Sequence, residues 1–211
     1  MEVSKDWLES VLKNHSKETS VDKIICLETE PAVGKGECYS SQIVRVKLKI
    51  LYASGKTANR SVLYKKLPDN EDLRQFLTEY NAFPAEIDTF SDIIPRMDEL
   101  MSEHGDTNEK LWCDCLWFNR YDQLVLQDLK EMGYRNLARQ SGMNVEHGVV
   151  TLNALGRLHG MSAILLQKKR IHPGLLKPYP MGRNDPTSNH LLSLGCSILA
   201  QVIKENWGSE W

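Results

Sequence analysis

Nowhere in the 211 residues is there an uninterrupted apolar run of the roughly 18 residues that a bilayer span needs. The opening Met1-Glu-Val-Ser-Lys-Asp-Trp-Leu8 has no apolar core of signal-peptide length. A basic excess is also missing: 26 Lys and Arg face 28 Asp and Glu, for a net charge of −2, and no Lys/Arg-rich run stands out. Those two absences argue against nucleic acid and against a membrane surface as partners. The five cysteines (Cys26, Cys38, Cys113, Cys115 and Cys196) are odd in number and irregularly spaced. They point to free thiols in a reducing compartment, not to a disulfide framework, so a cytoplasmic location is expected. There is no Walker A spacing, no glycine fingerprint within a βαβ unit, no G-x-S-x-G and no internal repeat.

What is there has the make-up of a folded chain, 41% hydrophobic and 26% charged. Trp7, Leu8, Val11 and Leu12 have helical spacing within residues 6–14. Residues 22–29 read as a strand, followed by the glycine-bearing turn Val33-Gly-Lys-Gly-Glu-Cys-Tyr-Ser-Ser41. Val44, Val46, Leu48 and Ile50 then alternate with Arg45, Lys47 and Lys49, a strand with one face buried and one wet. Ala53-Ser-Gly-Lys56 turns the chain into a third strand, Ser61-Val-Leu-Tyr-Lys65, which ends at Leu67-Pro68. Residues 70–103 are helical in pattern, and Pro84 and Pro95 are expected to divide them into two or three pieces. Residues 111–118 and 123–129 read as a strand pair, and helices are expected at 146–168 and 188–206 around a Pro- and Gly-rich loop at 173–186. The order predicts an α+β fold in which five strands and an inserted helical region lead into helices alone.

Several residues in this order can carry chemistry. Gly34 and Gly36 lack side chains, so backbone N–H groups in that turn can approach phosphate oxygens; hairpin turns also use glycine for their own geometry. Lys65 shares a face with Leu63 and either reaches into a cleft or extends to solvent, whereas Lys66 points the other way. Glu79 and Glu86 follow in the helical region, and either can pair with the strand lysine. Leu124-Val-Leu-Gln-Asp-Leu129 is an apolar strand ending in polar residues, suited to offer main-chain groups to a planar base. Cys113-Asp-Cys115 has no second ligand pair at zinc spacing and reads as packed free thiols.

Taken together these segments resemble the ecdysteroid kinase-like family, also called CHK kinase-like, which is related to choline kinases and aminoglycoside phosphotransferases. The resemblance rests on Gly34-Lys-Gly-Glu-Cys-Tyr-Ser-Ser41, Lys65-Lys-Leu-Pro68, Phe83-Pro-Ala-Glu86 running to Ile94-Pro95, Leu124-Val-Leu-Gln-Asp-Leu129, Gly133-Tyr134, Arg139, Gly142 and Leu155-Gly-Arg-Leu-His159-Gly-Met-Ser162. It implies a protein-kinase-like fold with a five-stranded antiparallel N-lobe over 1–128 and an incomplete helical C-lobe over 129–211. By the same resemblance, Gly34, Gly36 and Ser40 would lie over the phosphates of ATP, and Lys65 would contact the α- and β-phosphates. Glu86 would pair with Lys65, with Glu79 the alternative, and Gln127, Asp128 and Leu129 would form the adenine hinge. His159, on a stripe with Leu152 and Leu155, is expected to be a hydrogen-bonded structural histidine.

Three features depart from the family pattern. Pro84 falls two residues before Glu86, inside what should be continuous helix, and leaves Glu79 as the alternative partner for Lys65. Gln127 stands where glutamate is usual, a mild change if the hinge works through main-chain groups. The catalytic H-G-D loop and the metal-binding D-F-Q-type segment, which lie beyond the helix after His159, are missing from the sequence. The one His-Gly-Asp, at His104-Gly-Asp106, precedes the hinge strand and is expected to be a surface loop. The implied function is the ATP-binding half of a small-molecule kinase that phosphorylates an alcohol group, with an ecdysteroid-type acceptor possible in full-length relatives and Mg bound only with the missing C-lobe. The alternative is a catalytically inactive, pseudokinase-type binding module or a gene-model fragment. Without base and metal ligands the chain is not expected to turn over by itself. Its later helices are expected to expose apolar stripes and lower its solubility.

Overall fold

The computed structural model describes residues 3–15, 20–34, 38, 40–79, 81–120, 122–138, 141–176, 186–206 and 208. It falls into two compact units, Met1–His172 and Pro173–Trp211. This is a division by packing, distinct from the lobe boundary placed at 128–129 on sequence.

The first unit is built on a sheet of β1 (Val21–Pro31), β2 (Gln42–Tyr52), β3 (Thr57–Lys66), β4 (Cys115–Asn119) and β5 (Gln123–Gln127). All neighbours are antiparallel, in the order β1-β2-β3-β5-β4. This is the expected α+β architecture with a five-stranded antiparallel sheet. Strand alternation gives the sheet two different faces. On one, Val46, Leu48, Ile50, Val62, Tyr64 and Val125 pack against Leu8, Val11 and Leu12 of α1 (Lys5–Asn14), with Trp7 edge-on to Tyr64 and Trp117. α1 starts where the Ser4 hydroxyl accepts from the Trp7 N–H. On the other face, Leu124 and Leu126 join Leu67, Leu77, Phe83 and Ile87, so α2 (Glu71–Glu79) and α3 (Ala82–Asp88) cover the sheet there.

The helical stretch breaks elsewhere than the prolines suggested. The interruption falls at Asn81, whose φ of 55° is left-handed, so Pro84 sits in the first turn of α3 where its missing N–H has no intrahelical role. Pro95 breaks nothing. A π-turn over Thr89–Ile93 joins α3 to α4 (Ile94–Glu103), and the Ile94 N–H reaches back to the Thr89 carbonyl just before the proline that has no donor. Strand β4 starts at Cys115 and not at 111, because β5 stops at Gln127, whose N–H reaches the Asp114 carbonyl, and leaves residues 111–113 without a strand to pair. A 3₁₀ turn over Leu129–Met132 follows β5.

α5 (Val145–Gln167) is capped by the Asn144 side chain, which accepts from the His147 N–H. Arg157 at its middle donates to the Glu109 carbonyl and to Asp106, and Arg170 just past its end bonds Glu99 and Glu103 of α4. By length and composition alone α5 is long and apolar enough to cross a membrane, although Glu146 and Arg157 interrupt its apolar run. It buries Met161 and Leu165 and exposes Val145, Val149, Val150 and Leu152. In the second unit a short 3₁₀ turn over Pro173–Leu176 precedes α6 (Pro186–Asn206), which exposes Leu194, Ile198, Leu199 and Val202.

Leu8, almost fully buried, cannot be truncated without leaving a hole beneath the sheet. Leu8→Ala is expected to lower unfolding free energy by about 2–5 kcal/mol in urea titrations. Val145→Ala, at a position 83% exposed, should change it by no more than about 0.5 kcal/mol.

Candidate functional site

Antiparallel register decides which side chains of the sheet meet. Ile43 lies opposite Lys65, Arg45 opposite Leu63 and Lys47 opposite Ser61, so all six share the face that α3 covers in part. Lys65 is held there by α3. Its ammonium donates to both carboxylate oxygens of Glu86, at 2.7 and 2.6 Å, and lies 5.4 Å from the centre of the Phe83 ring. Phe83 and Glu86 are three residues apart on α3, so both reach the same point on the sheet. A half-exposed pair of this kind adds only about 0–1 kcal/mol to stability; its effect is to fix an extended lysine. Of the two glutamates left open by the sequence, Glu86 makes the pair, and the side chain of Glu79 lies outside the described residues. Lys66 points away and bonds Asp69.

On the same sheet face is a cavity of about 550 Å³, which Ile43, opposite Lys65, and Leu63 line but Lys65 and Glu86 do not. Val33 from the end of β1, Ile43 and Leu63 give it apolar walls, and Arg45, Gln127, Asp128 and Leu129 also line it. Gly34 follows directly on Val33, and Ser40 is exposed at the foot of β2. Gly36 lies outside the described residues.

The Gln127–Leu129 segment, expected as a hinge, is bound up in the protein's own hydrogen bonds. The Gln127 side-chain oxygen accepts from the Asp114 N–H, and its amide reaches the Met132 sulfur. A glutamate could accept from Asp114 in the same way but could not donate to the Met132 sulfur. The Asp128 carboxylate is buried and receives Arg45 Nε at 2.5 Å, the Ser61 hydroxyl at 2.6 Å, a second Arg45 nitrogen at 3.4 Å and the Lys130 N–H at 3.2 Å. Burial pushes its pKa up, yet the bonds from Arg45, Ser61 and Lys130 together outweigh burial and hold it below the ordinary carboxylate value. Arg45 is raised in turn, chiefly by its bond to Asp128.

Sequence reasoning missed Arg45 and Ser61. Arg45 belonged to the face expected to be wet, but its side chain is only 11% exposed. Nothing in the strand pattern separates it from Lys47 and Lys49, which are exposed.

His104-Gly-Asp106 forms the end of α4. The His104 ring contacts the Leu100 carbonyl, Gly105 takes a left-handed φ of 62°, and Asp106 accepts from the Asn108 backbone and side chain and from Arg157. His159 is exposed on α5 and has no hydrogen-bond partner among the described residues, so the expected structural histidine is not found. Cys113 and Cys115 are half-buried against the α2–α3 core. Burial raises both thiols, Cys115 to about 12. No three His, Cys, Asp or Glu side chains converge on a metal-sized site among the described residues.

The sequence model of the ecdysteroid kinase-like family matches residues 35–210. The chain belongs to that family. The match takes in β2 to β5, the Lys65–Glu86 pair, the hinge segment and both long helices, and so gives no support for reading the chain as only the amino-terminal portion of a member. Ecdysteroid kinase-like membership marks it as kinase-like, of the small-molecule phosphotransferase type. No curated protein and no solved structure matches it.

Two outcomes follow from the ionisation states. Because the Asp128 pKa is lower in the folded chain than its ordinary 3.8, its stabilisation is complete above about pH 5 and fades as pH falls through the folded value. Denaturant unfolding followed from about pH 6 down to about pH 3 should therefore show an acid-limb loss that Asp128→Asn flattens. Brief alkylation of the native chain, read by mass spectrometry, should label exposed Cys26 and Cys196 well before Cys113 and Cys115.

Proposed function

We propose that this chain binds ATP in the cavity between the β1–β2 hairpin and the Gln127–Leu129 segment, and that its family chemistry is transfer of the γ-phosphoryl group to an alcohol on a small, ecdysteroid-type acceptor. The observation that carries the reading is Lys65, on the same sheet face as the cavity-wall residues Ile43 and Leu63 and held extended by Glu86. A fixed ammonium at that place suits the α- and β-phosphates of a nucleotide. Val33, Ile43 and Leu63 give a planar base apolar surfaces to lie against, and Gln127–Leu129 lines the same cavity, its Gln127 N–H and its Asp128 and Leu129 carbonyls being bonded within the protein. The Asp128 carboxylate, taken up by four donors of the protein, is not left over for the nucleotide. Gly34, Gly36 and Ser40 belong to the turn that would close over the phosphates.

A second reading is favoured by one specific observation. The only His-Gly-Asp in the sequence, at 104–106, is a helix end whose aspartate is bound by Asn108 and Arg157, not a base facing the cavity. On that reading the chain binds nucleotide without transferring phosphate.

Thermal unfolding tests the binding common to both. ATP with Mg at about 100 times its dissociation constant should stabilise the native state by about 2.7 kcal/mol and raise Tm. Lys65→Ala should remove the rise, and no rise at saturating nucleotide overturns nucleotide binding. ADP formation dependent on an added ecdysteroid would select the transfer reading; binding without turnover would select the second.

A further inference from the structure

We infer that the Asp128 carboxylate is a positioning latch for the base-binding end of the cavity and not a nucleotide contact, an inference that rests on the nucleotide-binding reading above. The carboxylate joins three stretches of chain that share no local sequence: Arg45 on β2, Ser61 on β3, and the Lys130 N–H in the turn after β5. Register explains the meeting. Val62 pairs with Gln127, so one step on, Asp128 falls beside Ser61, with Arg45 diagonal to it on the neighbouring strand.

Each bond acts on a cavity wall. Arg45 lines the cavity from β2, and its guanidinium also lies 3.7 Å from Glu30 at the end of β1, so the latch reaches the hairpin that carries Gly34. On the other side Asp128 caps the Leu129–Met132 turn, accepting from the Lys130 N–H while its own carbonyl accepts from Glu131. Its side chain therefore sets the path of Leu129 and Lys130, which form the opposite wall. Removing the buried carboxylate would leave the Arg45 guanidinium only the more distant Glu30, on its own side of the cavity, and the tie between the two walls would be lost.

The Lys65–Glu86 pair is independent of this device. It lies four residues beyond Ser61 on β3, a rise of about 13 Å, and two beyond Leu63, the residue opposite Arg45, and it is anchored by α3 and not by the Asp128 network. The two ends of one ligand can thus be weakened separately, which a general loss of folding would not do.

Calorimetric titration of the full chain with adenosine and, separately, with inorganic triphosphate tests the latch. Asp128→Ala should weaken adenosine by about tenfold and leave triphosphate within about twofold of wild type. Ser61→Ala, which removes one bond of the four, should weaken adenosine by about threefold with triphosphate again unchanged. A folded Asp128→Ala variant that binds adenosine as wild type does, or that loses both ligands equally, overturns the latch. If Asp128→Ala does not fold, Ser61→Ala decides: a selective loss supports the latch and no selective loss overturns it. Wild-type chain that binds neither ATP nor adenosine overturns the nucleotide reading itself, a result distinct from wild-type binding that the variants leave unaltered.

Discussion

The backbone ladder that joins β3 to its neighbours on both sides governs everything placed around it. Hydrogen bonds to β2 and to β5 fix which residues of β3 face α1 and which face the cavity. Val62 and Tyr64 go to the α1 side; Ser61, Leu63 and Lys65 go to the other. A slip of one residue would exchange the two sets and bury a lysine among Leu8, Val11 and Leu12. The apolar content of the α1 face thus acts as a guard on the chemistry of the opposite one. It is the reason a single ammonium arrives under Phe83 and Glu86 instead of in solvent.

Around that strand the polar groups form two separate sets. One is a point charge on an extended arm, Lys65, steadied by a carboxylate and the face of an aromatic ring. The other is a closed network in which Arg45 and Asp128 satisfy each other almost out of water. The first set contributes little to folding; the second is saturated and contributes shape. The nucleotide cleft proposed above would need both kinds, because a charge gives attraction and a saturated pair gives fixed walls.

Much of this was legible in the residues. The alternation of Val44 to Ile50 located β2, the spacing of Trp7 to Leu12 located α1, and the parity of Leu63 with Lys65 set that lysine apart from Lys66. Family resemblance then put Glu86 ahead of Glu79, which pattern alone had left level. The unread part depended on contacts between distant segments. Arg45 looked like one more cation on a wet strand face because its partner is 83 positions away. Ser61 carried no signal, being a small polar residue in a strand. The prolines misled for a different reason: their cost depends on where in a helical turn they fall, and both fall where a donor is dispensable or where a wider turn replaces it. His159 misled because a leucine stripe indicates a face without showing whether anything covers it.

The π-turn at Thr89–Ile93 has a consequence for the long helical arm as a whole. Each residue advances an α-helix by about 100°, so a turn holding one residue more rotates everything after it by roughly that angle. Before it, Phe83 and Ile87 lie on the sheet; after it, Met97 lines an apolar groove with Ala154, Leu155 and Leu158 of α5. The same rod thus has two gripping edges, offset like the threads of a screw cut in two starts. Deleting one residue there would merge the edges into one, and α5 would lose its purchase on the arm that steadies Lys65.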